Sequence, residues 1–133
     1  LESIETLEDD VDIWLYDLKF HSADLAQALA QAPNYFDLAF AGLKLASDMS
    51  GPPILDDQGI MQRGVIVRTL VLPGHSDDCI RLLEAMAREL PGDGFFINLM
   101  DQYFPPSGAD LPEELRTRLQ ISEFNKVLQA ARD

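Results

Sequence analysis

The stretch "GVIVRTLVLPG" (64–74) narrows the choice of fold more than any other part of the chain. It is a near-continuous apolar run with Val and Ile in excess, which suits a strand buried on both faces. A turn and a helix come next. Pro73 and Gly74 turn the chain, Ser76 is placed to cap, and Asp77 and Asp78 stand where a helix dipole favours negative charge. Cys79, Leu83, Met86 and Leu90 then repeat at helical spacing. One residue breaks the pattern. Arg68 places a guanidinium inside the greasy run, and a buried cation needs a partner such as Asp17 or Asp101.

The rest of the chain repeats the strand-then-helix order. Residues 2–9 form a short helical turn, and "VDIWLYDLKF" (11–20) is rich in β-formers and reads as a strand ending near Asp17. Ser22 caps a helix to about Gln31. Asn34 caps the next, whose stripe is Leu38, Leu45 and Met49 with Phe36, Phe40 and Leu43 beside it. "SGPP" (50–53) stops that helix, and "ILDDQGIM" (54–61) reads as a small hairpin turning at Gly59. "PGDG" (91–94) ends the helix after Ser76, and "FFINLMDQYF" (95–104) is a third strand. "PPSGADLP" (105–112) is a loop, and "SEFNKVLQAA" is a closing helix capped by Ser122. Short βα units in series give an α/β fold with parallel strands and flanking helices. No internal repeat and no linker divides residues 1–133, which read as a single domain.

Charge excludes some partners. Ten Lys and Arg against 23 Asp and Glu leave a formal charge of −13. Nucleic acid is held by clustered basic residues, so this balance speaks against it, and against anionic membrane surfaces. No run of about 18 apolar residues exists to span a bilayer. "LESIETLEDD" lacks the basic flank and apolar core of a secretory signal. One cysteine, Cys79, excludes an internal disulfide and fits a reducing, cytoplasmic compartment.

Ligands of parallel α/β folds gather at the C-terminal ends of the strands. There the sequence places Asp17 and Lys19, then Arg68, then Asp101, Gln102 and Tyr103. Asp17 and Lys19 are two apart and share a face of their strand. Together they could receive the amine and carboxylate of an amino acid, or form an ion pair that satisfies itself. His21 and His75 follow strand ends, but two lone histidines read as surface or capping residues rather than metal ligands. "LEDDVD" lacks the Gly and Glu spacing of a calcium loop. There is no phosphate-binding glycine loop and no nucleophile elbow.

"DIWLYDLKF", "GIMQRGVIVRTLVLPGHSDD" and "INLMDQYFP" resemble the radical S-adenosylmethionine proteins, in particular homologues of pyruvate formate-lyase activating enzyme. The resemblance covers about residues 8–131. It implies the C-terminal half of a partial (β/α)6 barrel, similar to a TIM barrel, with S-adenosylmethionine lying across the strand ends. In that family an iron–sulfur cluster reductively cleaves the cofactor to methionine and a 5′-deoxyadenosyl radical. In the activating enzymes the radical takes a hydrogen atom from a glycine of a partner glycyl-radical enzyme.

By the same resemblance Asp17 and Lys19 match the Asp-x-Lys motif that holds the methionine end of the cofactor. Arg68 matches the arginine beside the nucleoside and carboxylate, and Leu70 an apolar residue against the adenine. The family's "LLP-x-H" histidine falls at Tyr103 in "LMDQY", which leaves Gln102 and Tyr103 as candidates for that contact. The CxxxCxxC cluster loop and an early Gly-Gly-Glu stretch are missing. A cluster needs three or four thiolates, and Cys79 is one. The expectation is therefore a chain that contributes cofactor-binding strand ends, holds no 4Fe–4S cluster and is inactive alone. The alternative is a non-catalytic α/β module that binds a protein or a small ligand. A half-barrel also leaves the 12–18 strand with an unpaired edge, and either Ile13 and Leu15 or Trp14 and Tyr16 without cover, which invites a homodimer.

Overall fold

A computed structural model describes residues 1–108 and 110–132. In chain order the elements are helix α1 (Glu2–Glu5), strand β1 (Ile13–Asp17), helices α2 (Ala23–Ala30) and α3 (Tyr35–Ser50), and strands β2 (Ile54–Leu55) and β3 (Met61–Leu70). Helix α4 (Ser76–Glu89), strand β4 (Phe96–Met100), a 3-10 turn (Glu113–Arg116) and helix α5 (Ile121–Ala130) complete the chain. The result is an α/β fold built on a four-stranded open sheet. β3 lies at its centre, with β1 parallel on one side, β4 parallel on the other, and β2 folded back antiparallel on the start of β3.

The sheet has two unlike faces, and alternation along the strands assigns each residue to one of them. Val65, Val67, Thr69 and Val71 are fully buried, with Trp14, Tyr16 and Leu99 on the same side. They meet Phe40, Leu43 and Ala46 of α3, Leu82 and Met86 of α4, and Val127 of α5 in one core. The other face carries Ile13, Leu15, Ile66 and Phe96, and there Leu15 is 59% and Phe96 47% exposed. The geometry follows from strand order. β1, β3 and β4 lie side by side in chain order, and parallel crossovers keep one hand, so successive helices fall on the same face.

Several sequence expectations need correction. The strand expected from Gly64 starts at Met61, because the hairpin's second arm runs straight into it, Ile54 pairing with Arg63 and Leu55 with Met61. The third strand stops at Met100, so Asp101, Gln102 and Tyr103 lie in the loop beyond it. The expected 105–112 loop includes Ala109, which lies outside the described residues. Asn34 holds the N-cap position of α3 without a side-chain cap bond. Ser76 is the first residue of α4 and His75 its N-cap, while Ser122 lies inside α5. There Gln120 and Glu123 form a reciprocal capping box, in which the Gln120 side chain accepts from the N3 N–H as a serine cap would and the Glu123 carboxylate accepts from the Gln120 N–H.

The stripe of α3 is also rotated. Leu38 is 59% exposed, and the buried side runs Phe40, Leu43, Ser47 and Ser50 with Gly42 and Ala46. Small residues let this helix approach β1 closely. The Tyr16 hydroxyl reaches over Gly42 and donates to the Ala39 carbonyl at 2.8 Å. Among the described residues no helix is long and apolar enough to cross a membrane.

Candidate functional site

The parallel register sets Asp17 opposite Arg68 on the face turned away from the helices. Nε of Arg68 donates to Oδ1 of Asp17 at 2.7 Å, and Nζ of Lys19 lies 3.8 Å from Oδ2. The side chains of Arg68 and Asp17 remain 39% and 37% exposed. The guanidinium inside the apolar run therefore points onto the open face, where it meets a carboxylate and solvent. A pair this exposed adds about 0–1 kcal/mol, so stability alone is a weak account of it. Both pairings foreseen for Asp17, with Lys19 and with Arg68, are present, and Arg68 is the shorter partner, though half-exposed rather than buried. Two cations around one carboxylate leave one positive charge uncompensated, in a chain whose formal charge is −13.

Leu70 and Tyr103 join Lys19 around a cleft of about 280 Å³ at the C-terminal ends of the strands, with Phe20, Leu72 and Leu115 among its apolar walls. That volume lies at the low end for small-molecule sites. The Tyr103 hydroxyl donates to the Leu115 carbonyl at 2.8 Å, which ties the loop after β4 to the 3-10 turn. Gln102 stands apart. It is exposed, and its carboxamide nitrogen sits 3.7 Å from the Met100 sulfur. The structure thus gathers Asp17, Lys19 and Arg68 into one cluster, and Lys19, Leu70 and Tyr103 into one cleft. Gln102 belongs to neither.

Three clamps hold these strand ends, and sequence reasoning missed all three as clamps. The Tyr35 hydroxyl accepts from the Lys19 N–H at 3.0 Å and donates to the Asp17 carbonyl at 3.1 Å. Burial, above all, raises its pKa, which keeps the proton needed for that donation. The buried Asp78 carboxylate accepts from the backbone N–H groups of His21 at 2.9 Å and Ser22 at 2.8 Å. Glu123 accepts from the Gly74 N–H at 2.7 Å, fastening α5 to the turn after β3. Of the three, Glu123 carried a legible signal, the Gln-x-x-Glu spacing of its capping box. Asn98 was missed too. It pairs in register with Arg68 on the opposite side from Asp17.

The histidines serve the scaffold. The His21 ring packs on Phe36 at 4.5 Å between centroids, and His75 Nε2 lies 3.2 Å from Glu114 Oε1. Among the described residues no three His, Cys, Asp or Glu side chains converge to hold a metal ion. Cys79 is buried on α4, where burial first and the Asp78 charge second push its thiol up to about 12. One inward-facing, protonated thiol does not fit the ligand set of an iron–sulfur cluster.

No family model matches the chain, and no solved structure matches it. It is similar to a protein of Methanocaldococcus jannaschii described as uncharacterized protein MJ0674, with 29% identity over 132 residues. The match takes in 98% of this chain and 34% of that protein, so the chain spans about a third of the length of the curated relative it matches.

Proposed function

We propose that this chain is the C-terminal half-barrel of a radical S-adenosylmethionine protein of the glycyl-radical-activating type, and that its strand ends seat S-adenosylmethionine. The observation that carries the reading is the Asp17, Lys19 and Arg68 cluster on the helix-free face of a sequentially ordered parallel sheet. An open doubly wound sheet packs helices on both faces, whereas a barrel wall keeps one face for its interior. The donor set fits the cofactor. Asp17 can accept from its ammonium, Lys19 and Arg68 can donate to its carboxylate, and Leu70 offers an apolar wall to its adenine. The match to one third of a longer protein is in keeping with a segment of a larger chain. A bound cluster would supply the electron that cleaves the cofactor, and its ligands would come from outside these residues. The same reading makes a glycyl-radical enzyme the partner and the cytoplasm the compartment.

Without a cluster to chelate the amino acid end, S-adenosylmethionine is expected to bind the chain at roughly millimolar Kd, about −4 kcal/mol. Titration followed by NMR checks this. The expected result is shifts at residues 17–19 and 68–70 that weaken in Lys19→Ala. Shifts scattered over the helices and indifferent to Lys19→Ala would contradict the site. A second reading, a non-catalytic module for amino-acid-like ligands, rests on the partial self-satisfaction of Asp17 by its two cations. It calls for methionine to bind as tightly as S-adenosylmethionine, since the nucleoside then contributes nothing.

The open face has a second consequence. A monomer of 14.8 kDa is expected to expose about 7,000 Å², whereas this chain exposes 8163 Å². α1 does not cover the bare strand, because Ile4 packs toward the helix-face core. Among the described residues nothing pairs with the outer edge of β1. We expect the isolated chain to self-associate through that edge and the Leu15 and Phe96 face, as a two-fold pair. Light scattering over a concentration series should show mass rising toward a dimer. A constant monomer, with residues 12–18 protected from exchange, would show that the chain covers its own edge.

A further inference from the structure

We propose that Asn98 is a ligand-contacting residue, whose carboxamide and the free terminal nitrogens of Arg68 form one donor seat for a carboxylate. The register makes the neighbourhood explicit. Arg68 is flanked by Asp17 on β1 and by Asn98 on β4, so three polar side chains form a row across the sheet. Directly before it in the strands runs an apolar row, Leu15, Ile66 and Phe96, on the same face. Leu99 packs against the helix-face core, which turns Asn98 to the open side.

Asn98 has no structural account. It is the one polar residue of β4 (Phe-Ile-Asn-Leu-Met), it is exposed, and its side chain makes no hydrogen bond among the described residues. Asparagine is depleted in strands, so neither local propensity nor packing explains it there. Arg68 is equally unfinished. Nε is committed to Asp17, and its two terminal nitrogens have no hydrogen-bond partner among the described residues. A guanidinium with free terminal donors matches a carboxylate, and a carboxamide beside it adds a further donor. The charge agrees, since the cluster carries one uncompensated positive charge. The side chains of the apolar row offer the guanidinium no competing acceptor.

This seat rests on the cofactor-site reading of the open face and deepens it. The carboxylate comes either from the amino acid end of S-adenosylmethionine or from a separate carboxylate substrate. The test is NMR on the labelled chain with three probes: S-adenosylmethionine, 5′-methylthioadenosine (a nucleoside thioether without the carboxylate) and succinate. The side-chain amide pair of Asn98 is assigned by its loss in Asn98→Ala. Expected is a joint shift of that pair and of the Arg68 Nε–H with S-adenosylmethionine or succinate, and none with 5′-methylthioadenosine. The responding probe identifies the source. Asn98→Ala should weaken that probe about tenfold while Asn98→Gln stays within about threefold, the scale of one hydrogen bond to a charged group. Should succinate move Asn98 and S-adenosylmethionine bind nowhere, the seat stands and the cofactor reading falls. Should S-adenosylmethionine shift Lys19 and Leu70 while Asn98 stays silent, the cofactor reading stands and the seat is overturned. Silence of Asn98 toward both carboxylates overturns it as well.

Discussion

Asp78→Ala is expected to lower the unfolding free energy by about 3 kcal/mol, the sum of two hydrogen bonds to a charged acceptor at their lower bound. The carboxylate is the acceptor for the His21 and Ser22 N–H groups, and Ser22 is also the cap of α2. Its side chain is only 5% exposed, so water does not readily replace it. Removal leaves two backbone donors facing a small void and frees the loop that carries the chain from Lys19 into α2. Asp78→Asn keeps an acceptor oxygen and should recover part of the loss. Urea unfolding is the check, with a lower midpoint and an unchanged slope. The binding site should suffer as well, because this loop sets where Lys19 stands. A variant as stable as the parent would mean that the loop finds other acceptors.

Met86→Ala should cost about 3 kcal/mol, within the 2–5 kcal/mol range for emptying a fully buried site. Met86 has no exposed surface and lies in the core with Val65, Val67, Leu82 and Val127. That core joins α4 to β3, the strand that both β1 and β4 pair with. Domain stabilities run about 5–15 kcal/mol, so one such change removes a large share. Met86→Leu, nearly equal in volume, should cost under about 1.5 kcal/mol. Equal losses in the two variants, read by urea midpoint, would show that shape rather than burial governs this position.

Much of this architecture is legible in the residues, for definite reasons. β3 stands out by its apolar run, but that run overstates its cover. Val65, Val67 and Thr69 are fully buried, whereas Ile66, Arg68 and Leu70 are half-buried on the open face, so the strand is enclosed on one face and not on the two expected. The stripe of Cys79, Leu83, Met86 and Leu90 is fully turned inward, because one wide apolar arc suffices for a helix lying on a sheet. The arc of α3 escapes a periodicity reading because its close approach uses Gly42, Ser47 and Ser50, and small polar residues carry no hydrophobic signal. Serine at 76 and 122 is a capping residue by type, but the chain turns into each helix at or before them. Which side of β1 is covered is open in the sequence, since Ile13 and Leu15 are as apolar as Trp14 and Tyr16. The aromatic pair wins because Tyr16 finds an acceptor in Ala39.

The site is legible where polar residues interrupt an apolar strand, as Arg68 does, and where their spacing sets them on one face, as with Asp17 and Lys19. It is not legible where a contact depends on partners far apart in the chain. Tyr35 beneath Lys19, Asp78 beneath Ser22 and Glu123 on Gly74 are separated by 16, 56 and 49 positions. Only the sheet register brings Asn98 beside Arg68.

If these strand ends complete a barrel, its cluster-binding strands come earlier in a longer polypeptide. The most direct measurement is the gene sequence upstream of the codon for Leu1. The expected result is an open reading frame that carries three cysteines at CxxxCxxC spacing, then a Gly-Gly-Glu stretch, and runs in frame into Leu1. An in-frame upstream sequence that reaches its start codon with fewer than three cysteines would contradict the half-barrel reading, and would leave the Asp17, Lys19 and Arg68 cluster as the site of a ligand-binding module.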